Sequence, residues 1–131
     1  MSKGDDNLFS IKQTTKGKLP RLPFALMKDT CLGNNYELSL VFAGDTLTKR
    51  LNITYREKNK PANVLSFPLS KNSGEIFINL KRAKIEAAKR DESFDSFVGF
   101  LFIHGMLHLK GYDHGSKMER AENTLRKKFG V

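Results

Sequence analysis

The segment from Phe94 to Leu109 constrains the fold of this chain more than any other stretch. Most of its side chains are large and apolar, and they are distributed around every side of a helix. A helix of this kind has no polar face to turn towards water, so it lies at the centre of the protein. The other segments must therefore pack around it, and a functional side chain on it is held in a fixed position.

All three histidines of the chain lie in or just after this segment. His104 and His108 are four residues apart, so on a helix their imidazoles share one face, one turn apart. Gly111 can adopt the left-handed conformation that ends a helix, which lets the chain double back and bring His114 to the other two. Three imidazoles leave one position of a tetrahedral zinc ion open, as in catalytic sites. The spacing therefore predicts a catalytic metal site held by His104, His108 and His114.

The same histidine spacing, with a glycine three residues after the second histidine, is that of metzincin peptidases. In those enzymes the residue after the first histidine is the glutamate general base. Here that residue is Gly105, which has no side chain to move a proton. A metallopeptidase-like hydrolase stays open as an alternative, although Gly105 opposes it.

Two motifs give the chain a family resemblance. The stretch from His104 to His114 reads H-G-M-L-H-L-K-G-Y-D-H and resembles the signature of the YbeY family of bacterial rRNA maturation factors. The stretch from Tyr55 to Pro68 resembles a second block of that family, with Ala62 where threonine is usual. The likeness runs roughly from residue 36 to residue 125.

The resemblance implies a metal-dependent endoribonuclease that cuts single-stranded RNA during rRNA maturation, at the 3′ end of 16S rRNA. It also implies the ribosome or its small subunit as a partner, and a zincin-like fold with the metal on the central helix. We expect one Zn²⁺ per chain, although imidazole also binds other divalent transition metals. A non-enzymatic ribosome-assembly factor is a further alternative, in which Cys31 or Glu119 would close a structural metal site.

Two further residues are candidates for catalysis. By resemblance, Arg56 contacts phosphate and stabilises the charge of the transition state, since its planar guanidinium matches two phosphate oxygens. A surface ion pair with Glu57 is the alternative for Arg56. Asp113, next to the last histidine, orients an imidazole or moves a proton in one interpretation and only stabilises the turn in the other.

The composition predicts a polyanionic partner. The chain carries a net charge of +9, and a basic surface attracts nucleic acid over a long range. One basic cluster surrounds Glu57 and is predicted to guide the backbone of single-stranded RNA; it consists of Lys49, Arg50, Arg56, Lys58 and Lys60. A second cluster lies within residues 81–90. The alternative for such clusters is that they only keep the protein soluble.

Other features exclude some classes of protein. A single cysteine, Cys31, cannot form an internal disulfide, which fits the cytosol. Residues 1–6 lack the apolar core of a signal peptide, and the longest apolar run, residues 97–103, is too short to span a bilayer. We therefore expect a cytoplasmic protein without a membrane segment.

The pattern predicts one α+β domain over residues 1–131, in which a small mixed sheet packs against helices. Predicted strands cover residues 8–14, 36–43, 64–67 and 75–79. The last two form a hairpin around a turn at residues 70–74, and Pro68 stops the first of them at a sheet edge or strand end.

Five helices are predicted between and after these strands. Four of them cover residues 20–32, 80–90, 94–109 and the end of the chain, where a capping box from Ser116 to Glu119 opens the last helix. The fifth follows a cap at Asp45 or Thr46 and ends before a surface loop at residues 55–61. Its apolar face is predicted to include Leu47, Leu51, Ile53 and Thr54.

Overall fold

The computed structural model describes residues 8–131 of the chain. Its elements are β1 (Phe9–Gln13), α1 (Phe24–Leu32), β2 (Glu37–Ala43), α2 (Asp45–Arg56), β3 (Val64–Ser70), β4 (Ser73–Asn79), α3 (Leu80–Lys89), α4 (Phe94–Leu109) and α5 (Ser116–Phe129). The strands form one sheet in the order β1-β2-β4-β3, in which β1, β2 and β4 are parallel and β3 is antiparallel to β4. The predicted α+β class with a small mixed sheet is confirmed.

The helix α4 is the centre of this arrangement, as predicted from its composition. It packs against β3, β4, α1, α3 and α5, and side chains from all round it, such as Phe97, Phe102 and Met106, are buried. The hydroxyl of Ser93 accepts a hydrogen bond of 3.1 Å from the backbone N–H of Ser96, which fixes the start of the helix. Ser93 is therefore the N-cap of α4.

The sheet buries one face against α4. Ile76 and Ile78 of β4 are completely buried, and so are Leu40 and Phe42 of β2. Alternate residues of each strand point to the same side, so these side chains form a continuous apolar surface.

The predicted hairpin of β3 and β4 is confirmed, but β3 does not stop at Pro68. The strand continues to Ser70, with a register irregularity between Pro68 and Ser70. Because β3 is an edge strand, a proline there need not donate a hydrogen bond to a neighbour. The expected edge position of Pro68 is thus correct, whereas the expected end of the strand is wrong.

The predicted inner face of α2 is only partly correct, since Leu47 and Leu51 are half-buried but Ile53 and Thr54 are exposed. Its buried side chains are Thr48 and Asn52, whereas Ile53 is 47% exposed. The amide of Asn52 donates a hydrogen bond of 2.9 Å to the carbonyl of Lys60, and the hydroxyl of Thr48 accepts a bond of 3.4 Å from the backbone N–H of Ala62. The helix therefore buries polar groups that anchor the loop at residues 57–63.

Several boundaries also differ from the prediction. The helix α1 begins at Phe24, after Pro23, and not at residue 20. The helix α2 extends through Arg56, so residues 55 and 56 are helical and not part of the loop, and Gly44 is its N-cap. The helix α5 has Gly115 as its N-cap without a side-chain cap, so the expected capping box at Ser116 does not form.

Asp45 does not cap α2 but joins it to α3. Its carboxylate accepts hydrogen bonds of 3.0 and 2.9 Å from the guanidinium of Arg82 and one of 2.8 Å from the amide of Asn79. These donors, Arg82 first, hold the pKa of the Asp45 carboxyl well below its usual range. The ionised form is therefore favoured by the folded state.

Asp45→Asn is expected to lower the free energy of unfolding at pH 7 by about 1–2 kcal/mol. The folded pKa lies below the unfolded value of about 3.9, so the stabilisation is complete above that value and is lost as the pH falls further. The difference between wild type and variant should accordingly narrow at about pH 3. Urea unfolding at both pH values measures this, with the exposed Asp91→Asn as control. A difference that does not change with pH would contradict the assignment.

Candidate metal centre

The three histidines lie together, as their spacing predicted. His104 and His108 lie one turn apart on α4, and their Nε2 atoms are 3.2 Å apart. The ring centroid of His114 is 4.6 Å from that of His108 and 5.3 Å from that of His104. One ligand atom from each residue lies within 4.8 Å of the others, so the group could hold a metal ion.

The chemistry of these donors fits a transition metal. Two imidazoles that bind a tetrahedral ion at 2.0–2.1 Å have nitrogens about 3.3 Å apart, close to the separation observed between His104 and His108. Both residues use Nδ1 to contact an oxygen. We therefore assign their protons to Nδ1, which leaves the Nε2 lone pairs directed at a common point.

The turn that ends α4 positions two of the three histidines. Gly111 has a φ of 96°, and its N–H donates to the carbonyl of His108 at 2.9 Å, while the N–H of Tyr112 donates to Leu107 at 3.0 Å. This is the glycine-dependent helix end that the sequence predicted. The carbonyl of Tyr112 accepts a hydrogen bond of 3.0 Å from Nδ1 of His108, so the turn also orients that imidazole.

Glu122 is the residue of this site that the sequence interpretation missed. Its carboxylate accepts a hydrogen bond of 2.5 Å from Nδ1 of His104, and it is only 7% exposed. Glu122 follows buried Met118 by four residues on α5, so both lie on one face. An acidic residue on the inner face of an amphipathic helix was the signal available in the sequence. A carboxylate in this position orients a ligand imidazole and makes it more basic.

The surroundings of His108 favour its neutral imidazole, and those of Gly105 leave little space for a peptidase base. Burial lowers the pKa of His108, and the positive charge of Arg56 acts in the same direction. Gly105 is buried, and a Cβ there would lie 3.2 Å from the side chain of Ile76 in β4. The position that carries the glutamate in peptidases therefore faces the sheet and has no room for a long side chain.

Arg56 lies at the end of α2, and its charge acts on His108. Its guanidinium donates a hydrogen bond of 3.3 Å to the carbonyl of Ser66 and stands 5.8 Å from the ring of Phe67. With Lys58 and Lys60 it lines a cavity of about 370 Å³ between the loop, β3 and α3. These contacts hold the cation without neutralising it.

The other predicted site residues are distributed around this centre. Lys49 and Arg50 are exposed on α2 and do not line the cavity. Asp113 is exposed next to His114, and both line a second cavity of about 550 Å³. Cys31 and Glu119 were suggested above as fourth ligands. Among residues 8–131, neither belongs to the cluster of histidines that could hold a metal ion.

A comparison with protein families gives this geometry its context. The model of the family described as endoribonuclease YbeY matches residues 6–129. The chain belongs to this YbeY family. The resemblance that the two motifs predicted is therefore confirmed.

Individual members agree with this assignment. The endoribonuclease YbeY of Neorickettsia sennetsu is 35% identical over 128 residues, which cover 87% of this chain and 90% of the relative. That of Ehrlichia canis is 40% identical over 104 residues, or 72% and 68% of the two chains. The solution structure of TM1509 from Thermotoga maritima has the same fold, with a TM-score of 0.67 and 22% identity. The match covers 93% of this chain and 89% of that one.

Among the described residues of this YbeY family member, no helix is long and apolar enough to cross a bilayer.

Glu122→Gln is expected to weaken binding of Zn²⁺, used as the probe ion, about 10- to 100-fold. A carboxylate that hydrogen-bonds a metal-binding histidine typically contributes that much to the affinity for the metal. Competition with a chromophoric chelator measures the change. Glu119→Gln is the matched control, since Glu119 is exposed on the same helix and outside the cluster. Equal affinities of both variants would show that Glu122 has no role in metal binding.

Proposed function

We propose that this protein is a metal-dependent endoribonuclease that cuts single-stranded RNA. The observation that carries the proposal is the cluster of three histidines together with Arg56, whose positive charge acts on His108 and which lines a cavity with Lys58 and Lys60. Relatives that match most of the chain bear the name endoribonuclease YbeY. We infer that residues 1–131 act as one catalytic domain.

His104, His108 and His114 would hold the metal, for which we propose Zn²⁺, one ion per chain. When bound there, a zinc ion supplies a Lewis acid that polarises a phosphoryl oxygen and lowers the pKa of water. Glu122 and the carbonyl of Tyr112 keep two of the imidazoles in the orientation and tautomer that this requires. Three protein ligands leave a position for water or substrate.

Arg56 is proposed to bind the scissile phosphate and to stabilise the charge of its transition state. The Phe67 ring and the Ser66 carbonyl hold one side of the guanidinium, and its remaining N–H groups are available to phosphate oxygens. Such preorganised donors act most strongly where negative charge develops during the reaction.

The other proposed site residues act around this phosphate. Lys58 and Lys60 in the loop, with Lys49 and Arg50 on α2, are proposed to contact the RNA backbone on either side of it. Asp113 is proposed to orient His114 or to move a proton. Its exposed position next to that histidine is compatible with either role.

Two alternatives are less well supported by this geometry. A metallopeptidase needs a base where Gly105 packs against Ile76. A structural metal in a non-enzymatic assembly factor needs a fourth protein ligand, and neither Cys31 nor Glu119 joins the cluster of histidines.

We further propose a cellular role in rRNA maturation, at the 3′ end of 16S rRNA, with the ribosome or its small subunit as partner and the cytoplasm as the compartment. The net charge of +9 suits a substrate embedded in a large ribonucleoprotein. The family resemblance supports the specific RNA.

Cleavage of a labelled single-stranded RNA by zinc-loaded protein tests the activity. His108→Ala, purified identically, is expected to have no detectable activity because it lacks a metal ligand. The same RNA annealed to its complement should remain uncut if the enzyme is specific for single strands. Equal cleavage by wild type and variant would indicate a different, metal-independent activity.

Arg56→Lys is expected to lower kcat about 100-fold, since an ammonium group cannot replace a two-pronged phosphate contact. Arg50→Ala is the matched control on the same helix and should change KM by only a few-fold while leaving kcat intact. Single-turnover cleavage separates the two effects. Similar kcat values for both variants would remove Arg56 from the catalytic residues.

A further inference from the structure

A third cavity lies at the opposite end of α4 from the histidines. Its volume is about 620 Å³, and Leu80, Phe94 and Ala43 contribute apolar surface to it. It lies at the carboxyl ends of the parallel strands β1, β2 and β4, beside residues that directly follow β2 and β4. In open sheets with parallel strands, this end is the usual location of ligand sites.

The rim of this cavity is strongly basic. Among residues 8–131, no acidic residue lines it, whereas four exposed lysines do, namely Lys16, Lys18, Lys81 and Lys84. Asp45 lies 3.5 Å from Lys81 but already forms a two-pronged pair with Arg82. Lys81 remains 69% exposed, so its charge is available to a ligand.

The cavity is separate from the metal centre but connected to it by α3. Phe94 and His104 are ten residues apart on α4, which corresponds to about 15 Å. The helix α3 contributes Lys81 and Lys84 to this cavity and Lys89 to the one that contains Arg56. One basic helix therefore forms a wall of both cavities.

We propose that this cavity is a second RNA-binding site, which takes an unpaired base of the substrate against Phe94 and Leu80 while the four lysines contact the flanking phosphates. Sites for single strands combine a positively charged groove with an aromatic side chain on which a base stacks. The inference rests on the proposed ribonuclease function. It adds a path along which the RNA would bind, from the metal centre across α3 to this cavity.

Charge alone would also suit an acidic peptide, but two observations favour RNA. The cavity contains an aromatic side chain between dispersed lysines, an arrangement that suits alternating bases and phosphates. The helix α3 is also a wall of both this cavity and the one lined by Arg56, the residue proposed to bind the scissile phosphate.

Binding of single-stranded RNA to metal-free protein, followed by fluorescence anisotropy, tests the proposal. Lys16→Gln/Lys18→Gln is expected to weaken binding of an RNA of about 20 nucleotides roughly 5- to 10-fold and to reduce the slope of log K against log salt by about 1. Zinc-dependent cleavage of a tetranucleotide should not change, because its stacked length of about 10 Å is too short to reach from the metal centre to this cavity.

The matched control is Lys127→Gln/Lys128→Gln, which removes the same charge from exposed positions on α5 outside both cavities. Equal weakening by control and test variants would attribute the effect to net charge and overturn the proposal. Phe94→Leu keeps an apolar side chain but removes the ring, and it too should weaken binding of the long RNA while leaving cleavage of the tetranucleotide unchanged.

The two proposals fail in different ways. If the long RNA is cut by wild type and bound equally by the lysine variant, the second site is wrong and the ribonuclease function stands. If wild type neither binds nor cuts RNA, both are wrong. If the lysine variant binds RNA normally but loses binding of an oligoglutamate peptide containing leucine, the cavity docks an acidic protein segment instead.

Discussion

The burial of α4 is the constraint on which the rest of the structure depends. The helix exposes little besides the face that carries His104 and His108, because the sheet and three other helices cover its remaining sides. The backbone that carries the two imidazoles therefore cannot shift without disturbing the whole core. The imidazole of His104 donates a hydrogen bond to Glu122 on α5, and that of His108 donates one to the carbonyl of Tyr112 in the turn, so both rings are fixed. Packing sets the position of the two imidazoles, and polar contacts set their orientation.

Polar contacts have a comparable role at the basic loop. The inner face of α2 carries Thr48 and Asn52, whose hydrogen bonds reach Ala62 and the carbonyl of Lys60. A buried polar group that lost its partner would cost about 1–3 kcal/mol, so these contacts favour one conformation of the loop. The loop is therefore held at its base, while the side chains of its lysines remain exposed to a ligand.

The sequence predicted those features that depend on apolar patterns or on glycine. Such patterns predicted the central helix, the hairpin and the helix end at Gly111. The histidine spacing then predicted the cluster of His104, His108 and His114. The inner face of α2 and the role of Glu122 could not be predicted in the same way, because the sequence does not show whether a Thr, Asn or Glu is buried or exposed. Only the tertiary structure supplies its partner. The cap of α5 was missed for a related reason, since Gly115 provides the required backbone conformation without any side-chain contact.

The contrast with peptidases of the same ligand spacing depends on one position. In those enzymes the residue after the first histidine supplies the base, whereas here Gly105 permits close packing of α4 on Ile76. The chain thus uses this position for packing, and the reacting proton must be handled elsewhere. The groups available nearby are cationic or hydrogen-bonding, namely Arg56 and the basic loop, with Asp113 as the exposed acid beside His114. Such a site suits an anionic substrate whose negative charge increases in the transition state, which is a property of phosphodiesters and not of peptides.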